Sequence, residues 1–259
     1  MQEWIDFAAE LARESGKLIM EYYASILHGD GPAVMRKADQ SPVTLADQQA
    51  EALMRERIGA RFPQHGVIGE EGGVSGPEGA ELQWVLDPID GTKSFVHGVP
   101  LFGTLIALLR EGQPVLGAIH LPATGELMLG ARGQATTLNG RPVHVRGTTS
   151  LEEATLAFTD PAELYRLGHG AAFEALGRRV AVARGWGDCY GHFLVAAGRA
   201  DIMLDPVVNL WDVAALIPCV EGAGGRLTDL AGRNSEPGDS ALSSNGRLHE
   251  EVLAILNRG

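Results

Sequence analysis

The sequence predicts a mixed α/β protein of the α+β kind, and three observations carry that expectation. Apolar residues recur at helical spacing through the first sixty positions or so, strand-like runs joined by tight-turn signals fill the middle, and strand and helix signatures alternate beyond Ser150. An antiparallel-rich half followed by an alternating half implies two sheet regions with interleaved helices, divided near residue 148 into subdomains 1–148 and 149–259. The length of 259 residues suits one large domain or two closely joined ones, since a domain holds about 100–200 residues. A hydrophobic share of 45% and a charged share of 21% are those of a globular chain, which argues against a fibre, a coiled coil or a disordered tail.

Trp4, Ile5, Ala8, Leu11, Ala12, Ser15, Leu18, Ile19 and Tyr22 mark one face of a long amphipathic helix over 2–24, followed by a Gly-rich turn at 29–31. Thr44 with Asp47 three residues later resembles a helix-start capping pair, and Ala50, Leu53, Met54 and Ile58 line a second helix. Strands are expected at 67–68, 82–86, 102–109 and 115–121, with a hairpin loop at 111–114 and a two-residue Asn139-Gly140 turn before 142–145. Pro88 supplies no ladder N–H, so the strand before it should stop at Asp87. Beyond the midpoint, strands at 155–158, 180–183, 202–204 and 226–228 alternate with helices at 162–176, 190–197, 210–221 and 248–256.

Charge and composition exclude several functions. Lys plus Arg number 21 against 33 Asp plus Glu, a formal net charge of -12, so nucleic acid and anionic membrane are not expected partners. The longest mostly apolar stretch, 101–109, falls far short of the roughly 20 residues a bilayer span needs. Met1-Gln2-Glu3-Trp4 lacks the basic and apolar blocks of a secretory signal, and a cytoplasmic location is expected. Cys189 and Cys219 form no Cys-x-x-Cys pair, which leaves neither a disulfide framework nor a thiolate zinc site.

Chemistry concentrates in the acids. Asp87-Pro88-Ile89-Asp90-Gly91-Thr92 places two carboxylates at the end of an apolar run, where Asp87, the Ile89 carbonyl and Asp90 can converge on one point. Oxygen-only ligands suit Mg2+ or Mn2+ rather than zinc, and the Gly91 and Thr92 N–H groups offer a seat for an anion. Asp-Pro and Asp-Gly are also plain turn formers. Glu70-Glu71 follows a short strand, as ligand-binding acids do in open sheets. Asp212 opens a helix, where a first-turn acid also serves the helix dipole.

Gly69-Glu70-Glu71, Asp87-Pro88-Ile89-Asp90-Gly91-Thr92 and Trp211-Asp212-Val213-Ala214-Ala215 resemble, in order and spacing, the three signature motifs of the inositol monophosphatase family. The resemblance implies a layered αβαβα sandwich of the inositol monophosphatase and fructose-1,6-bisphosphatase type, a homodimer, and hydrolysis of a small phosphate monoester with two or three Mg2+ ions, or Mn2+ in their place. It implies Glu70, Asp87, the Ile89 carbonyl, Asp90 and Asp212 as metal ligands. Thr92 and Asp47, aided by Glu70, would orient the attacking water, although Asp47 also suits the cap begun by Thr44. Four carboxylates in a chain already at -12 would repel a phosphate ester unless divalent cations reversed the sign. No Cys-x5-Arg loop or Asp-x-Asp start points to a phosphoenzyme, and attack by water fits better.

Substrate choice is expected ahead of the last acidic motif. Gly187-Asp188-Cys189-Tyr190-Gly191 departs from the Gly-Ser-Ala or Gly-Thr-Ala of inositol phosphatases and resembles the histidinol-phosphate phosphatase branch. Asp188 together with Asp205 suits an ester bearing an ammonium group, though Asp188 also suits a cap for the helix near Tyr190. Arg184 joins them as a candidate substrate contact, beside Asp90, Gly91 and Thr92. Lys37 is either a phosphate-side lysine or an ordinary solvated one; Trp186, Cys189 and His192 read as structural, and Lys93 and His97 carry no assigned role. L-Histidinol phosphate is the expected substrate, inositol monophosphate the alternative, and a sugar bisphosphate or 3′-phosphoadenosine nucleotide a third. A catalytically silent regulatory or binding protein on the same fold would be expected to have lost these ligands.

Overall fold

A computed structural model describes residues 1–29, 34–36, 42–233 and 240–257, with backbone alone for 34–36 and 42–44. In chain order the elements are α1 (Gln2–Leu27), β1 (Val34–Arg36), β2 (Pro42–Thr44), α2 (Leu45–Arg61), β3 (Gly66–Gly69), β4 (Gly73–Ser75), β5 (Leu82–Asp90), α3 (Thr92–Val96), β6 (Gly103–Arg110), β7 (Gln113–Leu121), β8 (Glu126–Ala131), β9 (Thr137–Leu138) and β10 (Arg141–Pro142). They continue with β11 (Thr155–Phe158), α4 (Pro161–Arg166), α5 (Gly170–Gly177), β12 (Val182–Arg184), α6 (Asp188–Ala196), β13 (Ile202–Asp205), α7 (Leu210–Val213), α8 (Leu216–Gly222), β14 (Arg226–Thr228), β15 (Ala241–Ser244) and α9 (His249–Leu256).

Among the described residues, the strands after β2 form two sheets. One runs β10-β9-β8-β7-β6-β5-β3-β4 and the other β12-β11-β13-β15-β14. Alternation along β5 explains the layering. Trp84 and Leu86 face Ala8, Leu11 and Ala12 of α1 and Met54 and Ile58 of α2. Val85 faces the opposite way, onto Cys189 and Phe193 of α6, Val213 of α7 and Leu216 of α8. The far side of α6 packs Leu194 and Val195 against Ala157 and Met203 of the second sheet. That sheet's outer face buries Leu156, Ile202 and Leu242 with Leu164 of α4, Leu176 of α5 and Val252 of α9. The order of layers is therefore helix, sheet, helix, sheet, helix, as the family resemblance implies. The middle helices lie hard on the first sheet: a Cβ on Gly117 of β7 would sit 2.1 Å from the Ala215 carbonyl oxygen. Any larger residue there would press on Ala215, the residue that joins α7 to α8.

Several boundaries differ from expectation. β5 does not stop at Asp87 but pairs with β6 again at Asp90↔Gly103, after a register shift between Asp87 and Asp90. Pro88 is tolerated because it lies in that bulge, where no ladder N–H is required, and its carbonyl accepts a hydrogen bond from Thr104 Oγ1 at 2.9 Å. The single helix expected over 162–176 is two, separated at Gly168, which takes φ +86. The helix expected over 210–221 breaks into α7 and α8 because Pro218 has no N–H for the Ala214 carbonyl and its ring crowds that oxygen. β8 and β15 were not anticipated; each is held by antiparallel neighbours, β8 by β7 and β9 and β15 by β13 and β14.

Candidate active site

Parallel strands point their carboxyl ends the same way, and both sheets use this to build one cavity. β3 pairs parallel with β5, so Glu70, just beyond β3, and Asp87 to Asp90, closing β5, emerge together. In the second sheet β11 is parallel to both β12 and β13, which brings Thr159, Gly185 and Asp205 to its corresponding edge. A cavity of about 550 Å³ lies between these ends, lined by Glu70, Asp87, Ile89, Asp90, Gly91, Thr92, Thr159, Asp188, Asp205 and Asp212. This is where open α/β sheets bind ligands.

On the cavity floor, Asp87 stands on the same strand face as Val85, toward α7, whose first turn supplies Asp212. One carboxylate oxygen each from Asp87, Asp90 and Asp212 lies within 4.8 Å of the others. Burial pushes the Asp87 carboxyl well above its usual range, helped by the charges of Glu70, Asp90, Asp212 and Asp47. Burial likewise raises Asp90 well above normal, reinforced by Asp188 and Asp212, and lifts Asp212 to about 6 against the opposing backbone hydrogen bond from Asn209. Asp87 Oδ1 is buried without a hydrogen-bond partner among the described residues. Carboxylates this crowded ionise together only with a cation among them, and an all-oxygen donor set fits a hard divalent ion. The residues present therefore fit the metal that the fold family implies.

The remaining floor residues are set by backbone. The Ile89 side chain is fully buried with Ile19, Phe95 and Phe102, which leaves its main chain for the cavity. Thr92 Oγ1 donates to the Ile89 carbonyl at 3.0 Å. Gly91 takes φ +83, and a Cβ there would lie 3.0 Å from the Leu101 carbonyl oxygen and 3.3 Å from Asp188 Oδ2, so only glycine fits. Asp47, 1% exposed, sits in the first turn of α2 close enough to Asp87 to raise it, but does not line the cavity. Asp212 does both things expected of it: it faces the cavity and its Oδ2 accepts the Asn209 N–H at 2.6 Å in a capping box.

The opposite wall is equally acidic. Asp188 opens α6 at φ +54 with Gly187 as N-cap and no side-chain cap bond, so it is not the cap considered from sequence. Its N–H donates to Thr159 Oγ1 at 3.0 Å, and that hydroxyl donates to Asp205 Oδ2 at 2.9 Å. One threonine thus links the Asp188 main chain at the start of α6 to the Asp205 carboxylate at the end of β13. Burial and the Asp188 charge raise Asp205 to about 8; burial raises Asp188 against the counter-effect of Lys93. Behind Asp205, His192 is fully buried, its Nε2 3.9 Å away and its Nδ1 2.6 Å from Ser243 Oγ, and burial lowers it to about 3. The Cys189 N–H donates to Asp90 Oδ2, a link between wall and floor.

Arg184 is not brought into this arrangement. It is exposed and hydrogen-bonds the Ala183 carbonyl at 2.7 Å, because it ends an edge strand whose last side chain turns outward. Lys37 lies outside the described residues, as does the Thr44 side chain. His97 is exposed on the Lys93 carbonyl, and Trp186 packs beside Ala157 and Leu194. Sequence reading missed Thr159, Asp160, Glu163 and Arg166, which line the cavity, and assigned nothing to Lys93, which does too, with Nζ 3.8 Å from Asp160 Oδ2. The signal was Thr159-Asp160-Pro161, a strand end running into a helix start, the same pattern that flagged Asp87.

The family model for inositol monophosphatases matches residues 1–258. The chain belongs to the inositol monophosphatase family. As a member it is a phosphoric monoester hydrolase, and an acidic cluster able to hold metal accords with that family's metal dependence. A histidinol-phosphatase from Chlorobaculum parvum is 41% identical over 256 residues, spanning 98% of this chain and 97% of its own. A histidinol-phosphatase from Mycobacterium tuberculosis is 42% identical over 228 residues, spanning 86% and 87%. Among solved structures, an inositol monophosphatase from Zymomonas mobilis superposes with a TM-score of 0.85 at 34% identity, covering 98% of each chain. No helix among the described residues of this family member is long and apolar enough to cross a membrane.

Proposed function

We propose that this protein is a Mg2+-dependent histidinol-phosphate phosphatase that converts L-histidinol phosphate and water to L-histidinol and phosphate. The observation that carries the substrate assignment is the wall where Asp188 and Asp205 meet across Thr159. These carboxylates are additional to those a metal site needs, and Asp160 and Glu163 extend the acidic surface beside them. A substrate with an ammonium group satisfies such a wall through charge-assisted hydrogen bonds; a neutral polyol leaves it unpaired, which is costly once buried. The two histidinol-phosphatase relatives support the same reading.

Glu70, Asp87, the Ile89 carbonyl, Asp90 and Asp212 hold two or three Mg2+ ions, with Mn2+ able to substitute. When bound, those cations polarise the phosphoryl oxygens and stabilise the departing alkoxide. The chain's own groups position the rest. Thr92 Oγ1, whose proton is committed to the Ile89 carbonyl, accepts a hydrogen bond from the attacking water. Asp47, buried beneath the floor beside Asp87, helps orient that water through the floor residues, and Glu70, which lines the cavity, takes the one proton released. The Gly91 and Thr92 N–H groups donate to the phosphate at the turn where β5 meets α3, and Asp188 and Asp205 receive the ammonium. A homodimer in the cytoplasm belongs to the same proposal; sedimentation and cell fractionation test it.

The direct test is steady-state kinetics of purified protein in Mg2+ on histidinol phosphate, inositol 1-phosphate, fructose 1,6-bisphosphate and 3′-phosphoadenosine phosphate. Histidinol phosphate is expected to give the highest kcat/KM, by on the order of 10²-fold or more over inositol 1-phosphate. Preference for inositol 1-phosphate would overturn the substrate assignment.

A further inference from the structure

We propose that Glu51, braced by Arg55, is a positioning residue that sets Glu70 in the cation site; the inference rests on Glu70 being a cation ligand. Neither residue lines the cavity. Asp47, Glu51 and Arg55 are spaced one turn apart along α2, so they share one helix face. Asp47 lies close enough to Asp87 on the floor to act on its charge. Glu51, 2% exposed, reaches the turn that follows Glu70: its Oε2 accepts the Glu71 N–H at 2.8 Å and its Oε1 the Gly72 N–H at 2.7 Å. Arg55 Nε holds the same carboxylate at 2.7 Å, while its terminal nitrogens donate to Ser75 Oγ at 2.7 Å and the Gly73 carbonyl at 2.6 Å.

The turn is shaped around that carboxylate. A Cβ on Gly69 would lie 2.5 Å from Glu51 Cδ, and one on Gly72 would lie 2.8 Å from Glu51 Oε1. Both neighbours of the Glu70-Glu71 pair are thus glycine where the buried acid needs the space. Glu70 itself is fixed from the strand side by its own N–H, which donates to the Leu86 carbonyl at 3.2 Å. With that peptide tied to β5 and the next to Glu51, the Glu70 Cα has little freedom, and its side chain is aimed at the cavity. A buried carboxylate is costly unless fully bonded; this one is bonded three times, one bond restraining the peptide that directly follows Glu70 and a second the peptide after that. Groups that orient metal ligands commonly change affinity by about 10–100-fold when removed.

Glu51→Gln keeps the shape but loses one of the two N–H acceptors and the ion pair. Calorimetric titration of the full-length protein with Mg2+ and with Mn2+ is expected to show affinity weakened about 10–100-fold, with kcat recovering to within several-fold at saturating metal. Arg55→Gln is expected to weaken affinity less, by several-fold, and carries the test should Glu51→Gln not fold. Leu253→Ala, in the outer helix α9, supplies a control that lowers the melting temperature through a core cavity and should leave metal affinity unmoved. Affinity unchanged in Glu51→Gln, or in Arg55→Gln where only that variant folds, would assign the pair to packing alone and overturn the inference. Glu70→Gln run alongside separates the two readings. If it loses affinity while Glu51→Gln does not, only the positioning role fails; if it binds metal as the parent does, the assignment of Glu70 fails first.

Discussion

The floor and the wall of the cavity are both carboxylate-rich, yet they are built differently. Floor acids stand on or just after strands of the larger sheet, at the bulge of β5 and the end of β3, and Asp212 is fixed to α7 by its own cap. Wall acids sit where chain direction changes: Asp188 at a left-handed helix start, Asp160 as the cap of α4, Asp205 at the last residue of β13. The floor crowds negative charge around unpartnered oxygen, which calls for metal. The wall spreads its charge, with Thr159 fixing the Asp188 main chain against the Asp205 carboxylate, which under the proposed function suits a monovalent, hydrogen-bonding cation. Under the proposed function, one cavity would separate the chemistry of the reaction from the choice of ester, with strands holding the first and turns and a helix start the second.

Substitutions should break the two halves differently. The largest effect is expected on the floor: Asp90→Asn keeps an acceptor for the Cys189 N–H but removes a ligand charge, and kcat/KM should fall on the order of 10³-fold or more for every ester. Circular dichroism should show the fold unchanged. Full activity in that variant would remove Asp90 from the metal set. On the wall, Asp188→Asn tolerates the left-handed backbone and should raise KM for histidinol phosphate about 10–100-fold, the worth of a hydrogen bond to a charged group. p-Nitrophenyl phosphate should be affected far less; equal losses on both would show that Asp188 does not read the ammonium.

A smaller effect separates wall from floor by pH. Asp205, raised to about 8 by burial, keeps a proton in the native state that the unfolded chain releases near its ordinary value. Its contribution to stability is therefore fully present below about pH 4 and is lost as pH rises toward 8. From about pH 7.5 to 8.5 the buried His192, lowered to about 3, is neutral in the native state and almost wholly neutral in the unfolded chain, where histidine titrates near 6.5, so it does not obscure this. Metal-free protein should lose stability across that window, by up to about 1.4 kcal/mol per pH unit for each proton held. Asp205→Asn should lose it less steeply, whereas parallel melting curves for the two proteins would contradict the burial argument.

Much of this was legible in the sequence, for physical reasons that differ by region. α1 and β5 to β7 announce themselves because long apolar periods survive any packing context. Asp87 and Asp90 of the floor were legible because Asp-Pro-Ile-Asp-Gly-Thr crowds two acids at the end of an apolar strand, although that strand carries on through a bulge to Asp90. Thr159 was not, because its role comes from a hydroxyl shared between two elements that lie 29 and 46 residues further along the chain. Glu51 was hidden for a like reason: on α2 it looks like any helix acid, and only the fold brings the β3 to β4 turn onto it. Arg184 shows that a charge beside a motif need not line the cavity the motif builds: its guanidinium donates to the Ala183 carbonyl of its own strand. The breaks at Gly168 and before Pro218 were written in the sequence and overridden by helical spacing on either side.

The central claim is that separated carboxylates share divalent cations and so make room for a dianionic ester. Its most direct measurement is calorimetric titration of the chelator-stripped protein with Mg2+, paired with hydrolysis assays before and after each addition. Saturable Mg2+ uptake that is lost in Asp87→Asn and Asp90→Asn, with turnover appearing only as the sites fill, is the expected result. Undiminished hydrolysis by stripped protein, or no uptake of Mg2+ or Mn2+ at all, would contradict it.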